Sequence, residues 1–134
     1  MNCNGFRNLV AGVGLFVAAV PAQAHHSMAE FDKSKSITLH GVVTSVKWEN
    51  PHCFVYVDVR DETGRVVTWG LEGSGPAALV RHGMNASLLK PGAEVTIKTN
   101  PARDTSKNFG FLNEMVFADG QTYRSDTNID EGPR

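Results

Sequence analysis

The chain has 134 residues, 41% of them hydrophobic, and a formal net charge of −1. That length suits one domain with a single core. Lysines and arginines are scattered without a basic stripe, which argues against a nucleic-acid partner, whose phosphates need clustered positive charge, and gives no support for an anionic membrane surface.

Residues 1–24 read as a secretory signal peptide. Arg7 is the one charge before an apolar run from Leu9 to Val20, and Pro21 precedes the small-x-small site Ala22-Gln23-Ala24. The run is shorter than the ~20 residues that span a bilayer, so cleavage is expected over a retained anchor, with no stable membrane insertion afterwards. Cutting after Ala24 leaves 110 residues that begin His25-His26; cutting after Ala22 would begin Gln23-Ala24-His25. Either product is expected in the periplasm or outside the cell. Cys3 leaves with the leader, so Cys53 has no partner for a disulfide within its own chain. A reactive thiol, an intermolecular bridge or a metal ligand are its functional readings; a small buried hydrophobe is the plainer one.

Residues 25–35 are polar and form an N-terminal arm, with Met28 and Phe31 as tie-down points. The barrel domain is expected over 36–123. Ile37 to Glu49 alternates as a long first strand that Gly41 bends or bulges, with Val42, Val46 and Trp48 on one face. Asn50-Pro51 ends it. Cys53 to Val59 is the cleanest strand: Cys53, Val55, Val57 and Val59 face the core, while His52, Phe54, Tyr56 and Asp58 face away. A turn at 61–64 leads to a third strand from Val66 to Leu71. Ser74 and Pro76 suit a helix start and Gly83 its stop. A fourth strand runs from Glu94 to Asn100. A fifth runs from Phe109 to Phe117, with Phe111, Met115 and Phe117 alternating against Leu112, Glu114 and Val116. Asp119-Gly120 turns the chain, Gln121 to Tyr123 pairs back, and 124–134 forms a disordered tail.

Three strands, a helix and two strands, with a bent first strand, is the order of an OB-like five-stranded barrel, an all-β fold with one short helix between strands three and four. Such barrels bind ligands on the outer face of strands two and three. Here that face carries His52, Phe54 and Tyr56.

Two constellations carry candidate chemistry. An N-terminal histidine chelates through its amino and ring nitrogens, and a second imidazole completes a three-nitrogen site that suits Cu(II). His25 would chelate; His26 is too close in sequence to join easily, so His52 or His82 must come from the fold. Zn(II) is the other candidate. Without such a partner, the two histidines are a by-product of processing. The second constellation, Trp48-Glu49-Asn50-Pro51-His52, packs aromatic, carboxylate, amide and imidazole groups around a bend. It reads either as a binding site of His52, Asn50 and Glu49, or as a structural corner with Trp48 in the core and Asn50 in an Asx-type turn. Phe54 and Tyr56 either stack a ligand or a periplasmic protein partner, or are covered by the arm or the C-terminal strand.

Weaker signals add little. Glu72-Gly73-Ser74-Gly75 lacks the lysine of a phosphate loop, and Ser74 has no nucleophile-elbow context. His40 reads as solvated, His82 as a helix-dipole partner, and Met28 and Met84 as gap-fillers before soft Cu(I) ligands. No carboxylate pair, Ser/His/Asp order or Cys/His dyad stands out, so a non-enzymatic binding module is expected and a copper-dependent oxidase-like enzyme is the weakest alternative.

The chain resembles small exported bacterial proteins grouped as domain of unknown function 6152. The resemblance rests on AHHSMAEFD, GVVTSVKWENPHCFVYVDV, WGLEGSGPAALVRHG with LKPGAEVTI, and FADGQ. It implies that His25, His26, Ser27, Asn50, Pro51 and His52 are the motif positions. Cys53 is not part of the pattern. The family carries no established activity, so the resemblance supports the location and integrity of the domain but no mechanism.

Overall fold

A computed structural model describes residues 26–125, with side chains from Met28 onward. The expected leader 1–24, His25, the side chains of His26 and Ser27, and the part of the expected tail from residue 126 lie outside the described residues.

A helical turn α1 (His26–Ala29) leads into β1 (Ile37–Lys47), β2 (His52–Arg60) and β3 (Val66–Ser74); α2 (Pro76–Arg81) precedes β4 (Glu94–Pro101), β5 (Phe109–Phe117) and a short β6 (Thr122–Arg124). The strands run β3-β2-β1-β4-β5-β6, and an additional β3–β5 pairing closes the first five into a barrel. That closing pair is parallel, Gly70 to Glu72 against Phe109 to Phe111, and the others are antiparallel. The barrel is the OB-like arrangement expected, with its helix after β3 and before β4. Among the described residues no helix is long and apolar enough to cross a membrane.

Period-two alternation sets the core. In β2, Cys53, Val55, Val57 and Val59 are all buried, while His52, Phe54, Tyr56 and Asp58 are half-exposed. Leu71, Ile97, Leu112, Met115 and Tyr123 complete the centre of the same cluster. Each fully buried valine or leucine contributes roughly 1.5–3 kcal/mol of transfer free energy.

Two bulges shift this alternation. The β1–β2 ladder slips between Val43 and Ser45. Leu39 and Val43 point inward before the slip and Val46 packs on the core after it. Val42 is therefore exposed; Trp48 follows the last residue of β1 and lies at the surface, 37% exposed, rather than in the core. The bulge thus falls beside Thr44 and not at Gly41. Gly41 marks a close approach instead: a Cβ there would lie 2.7 Å from Val57 Cγ1. The β4–β5 ladder slips between Lys98 and Thr99. Leu112, Met115 and Phe117 consequently face the core, while Phe111 turns to the outside.

The connections reuse one local device. Asp32, Asp61, Asn85, Asp104 and Asp119 each accept the backbone N–H two residues on, the Asx geometry that makes these residues turn formers. The N-cap of α2 is Gly75, without a side-chain cap, instead of Ser74. A Cβ at Gly75 would lie 2.9 Å from the Pro51 carbonyl oxygen and 3.0 Å from Asn50 Oδ1, so the helix start packs directly on the bend before β2. Arg124 closes β6 and Ser125 is buried, so ordered packing runs past Tyr123.

Candidate functional site

The hairpin of β2 and β3 places His52 opposite Ser74 and Phe54 opposite Glu72. Same-face residues on the diagonal of an antiparallel pair lie within reach of long side chains. His52 Nδ1 is accordingly hydrogen-bonded to Glu72 Oε1. The two members differ in burial: the His52 side chain is 30% exposed and that of Glu72 is 7% exposed. A carboxylate taken out of water this far needs a partner, and His52 is one. The Asn50-Pro51 peptide bond directly before His52 is cis, and Asn50, Pro51, Glu49 and Trp48 are all exposed at this rim.

Beside this pair lies a second apolar cluster, outside the barrel. Phe54 stacks on Phe109 at 6.4 Å between ring centroids. Phe31 of the arm packs on Phe109 and on Phe111, each at 5.7 Å, and is fully buried. The arm is tied there by backbone as well. Phe31 bridges Ala102, Asp32 donates to the Pro101 carbonyl, and Arg103 donates its N–H to Glu30 O and its Nε–H to Ala29 O. Gly70 makes room for the cluster, since a Cβ there would lie 2.8 Å from the Phe109 ring. Phe31 is therefore the tie-down residue expected of the arm; Met28 is half-buried.

Polar groups edge the same face. Asn100 Nδ2 donates to the Lys35 carbonyl and Asn113 Nδ2 donates to Asn100 Oδ1. Asn113 Oδ1 is buried without a hydrogen-bond partner among the described residues.

The sequence-derived candidates fare differently. His52 heads the outer face as expected. Phe54 is stacked on Phe109, which is coverage by the fifth strand, and the arm's Phe31 packs on that same Phe109 ring. Tyr56 is half-buried with the Lys47 ammonium 5.7 Å from its ring centroid. Asn50 is exposed, with its Oδ1 beside Gly75. Cys53 belongs to the core: burial pushes its thiol pKa up, and Sγ donates to the Glu49 carbonyl at 3.8 Å. A thiol held protonated is a poor nucleophile and a poor ligand. His40 is exposed and bonded to Thr96 Oγ1 at 3.0 Å. It sits where β1 crosses the far end of β2, next to the Gly41–Val59 pair, roughly 23 Å from His52 at 3.3 Å per residue. His82 is the C-cap of α2. Among the described residues no group of three or more His, Cys, Asp or Glu converges to hold a metal; His25 and the imidazole of His26 lie outside them.

Sequence reading missed Glu72, which stood out only as part of a weak phosphate-loop match. The signal was present in the hairpin. Counting outward from the 61–65 turn pairs Arg60 with Val66 and so puts Glu72 opposite Phe54, one diagonal step from His52.

Residues 13–111 match the Family of unknown function (DUF6152). The chain belongs to that family. The match runs from the apolar run at Leu9–Val20 into β5 and includes the HHS and NPH segments and Glu72. No curated protein matches the chain. Among solved structures it is similar to one described as "Crystal structure of the ZRD-deleted mutant of TiaS in complex with agmatine", at 16% identity and a TM-score of 0.47. That alignment covers 77% of this chain and 24% of the other, so the chain spans about a quarter of that protein's length.

Proposed function

We propose that this DUF6152 protein is an exported, non-enzymatic binding module that holds Cu(II) or Zn(II) between the histidines of its mature N-terminus and His52. His25 supplies amino and ring nitrogens, His26 stands beside it, and His52 supplies the imidazole from the barrel. The observation that carries the reading is the seat of Phe31. It fastens the arm to the outer face at Phe111, and Phe111 pairs across the closing ladder with Glu72, the residue that holds His52. His26 lies five positions before Phe31, at most ~17 Å of chain, while neighbouring strands are ~4.8 Å apart. That anchoring supports the reading, because the arm that carries the N-terminal histidines is fastened beside the strand pair that holds His52.

The competing use of this face, docking a periplasmic protein or envelope component on Phe54 and Tyr56, has less surface to work with, because Phe109 already covers Phe54. Export rests on the leader and its small-x-small site.

Titration of the mature protein with Cu(II) and Zn(II) tests the proposal, alongside His52→Ala and a form extended before His25. Tighter binding by the native protein than by either variant is expected. Equal affinity in all three would overturn the paired site.

A further inference from the structure

We infer that Glu72 is the positioning residue of this site, fixing the His52 ring so that Nε2 is its metal-binding atom. The inference rests on the metal reading above and names a residue that reading does not require. Nδ1 of His52 is engaged by the Glu72 carboxylate, and Nε2 makes no hydrogen bond with any described residue. A carboxylate that accepts Nδ1–H holds the neutral imidazole in the tautomer whose free lone pair is on Nε2. The same contact sets the ring plane, as outer carboxylates do for metal-bound histidines.

The burial of Glu72 makes this arrangement directional. Its side chain is enclosed where β3 meets β5, with Phe54 opposite on β2 and Phe111 opposite on β5. The carboxylate is thus enclosed, while the ring it holds is the part that reaches solvent. Glu72 is then a support and not a ligand, and the site offers nitrogen donors. Nitrogen donors suit Cu(II) and Zn(II), whereas Ca²⁺ and Mg²⁺ need oxygen ligands. The inference therefore includes selectivity: millimolar Ca²⁺ or Mg²⁺ should not displace the transition metal.

The test uses the mature protein with its native N-terminus, and Glu72→Gln, Glu72→Ala and His52→Ala, each checked for folding by circular dichroism. Copper and zinc salts are titrated calorimetrically, and the tautomer of His52 is read from its ¹⁵N shifts without metal. Native His52 is expected as the Nδ1–H tautomer, with that preference weakened in Glu72→Ala. Removing the carboxylate is expected to lower metal affinity by ~10–100-fold, less than His52→Ala does. Should Glu72→Ala fail to fold, the near-isosteric Glu72→Gln carries the comparison. Native-like affinity in a folded Glu72 variant, an Nε2–H tautomer in the native protein, or displacement by Ca²⁺ would overturn the inference and leave the metal reading standing. Equal binding by native protein and His52→Ala would instead overturn the metal reading itself.

Discussion

The two faces of β2 are built from the same nine residues and by different rules. The inner row, Cys53, Val55, Val57 and Val59, is uniformly small and apolar and is buried against side chains from every part of the barrel. Any well-fitting hydrophobe could serve there. On the outer row each side chain has its own partner: Asp58 accepts from Thr68 Oγ1 at 2.6 Å, Tyr56 meets Lys47, Phe54 stacks on Phe109, and His52 is held by Glu72. The inner face supplies stability, and the outer face supplies a fixed geometry.

Substitutions can separate the two roles. The largest expected loss of stability comes from Phe31→Ala. The ring is fully buried, and truncating such a phenylalanine costs ~3–5 kcal/mol. Because this ring fastens the arm, thermal unfolding should show the loss and metal titration should show weaker binding as well. Leu71→Ala on the inner side is the control. It should cost ~2–5 kcal/mol and leave metal affinity per folded molecule unchanged. Matching effects of the two variants on metal binding would erase the distinction between the faces.

Gly70→Ala should cost less, about 1–3 kcal/mol by overpacking, because its Cβ meets the movable Phe109 ring at 2.8 Å. Phe109 must shift, so the ring-current shifts of Phe54 and Phe31 resonances should change with it. A neutral result by both melting and NMR would show that the aromatic stack is loose.

The smallest effect concerns Glu114, outside both faces of β2. Arg124 Nε–H hydrogen-bonds its carboxylate at 2.7 Å, and with Lys98 it holds the carboxyl below the usual glutamate range. A carboxyl depressed in the folded state stabilises above its unfolded pKa, about 4.3, and that contribution fades as pH falls through the folded value. Glu114→Gln should therefore lower stability at pH 7 by about 0.5–1 kcal/mol, since both partners are well exposed, and the difference from the native protein should close in acid. A gap that stays constant from pH 7 to pH 3 would contradict the assignment.

The same comparison explains what the sequence disclosed. The inner row of β2 repeats every second residue, and periodicity is local, so it was readable together with the strand order and the barrel. Where a bulge interrupts the period, the reading failed. Phe111 was grouped with Met115 and Phe117 by uninterrupted alternation, and the slip at Thr99 moved it to the outside; Trp48 was extrapolated along β1, which ends one residue earlier at Lys47 and leaves it at the surface. The outer row depends on partners far along the chain. Phe54 meets Phe109, and Phe31 meets Phe111, through a parallel closure between strands separated by a helix and a fourth strand. No local pattern records such pairings. His52 was identified from its place at the head of the strand; Glu72 required the hairpin register, which a turn of uncertain length hides.

The most direct test of the account is ¹⁵N NMR of the histidine side chains in the mature protein during addition of one equivalent of Zn(II). The account predicts that His52 Nε2 and the N-terminal histidine shift together along one binding curve, with His40 unmoved. Saturation of the N-terminal histidines while His52 keeps its metal-free shifts would contradict it.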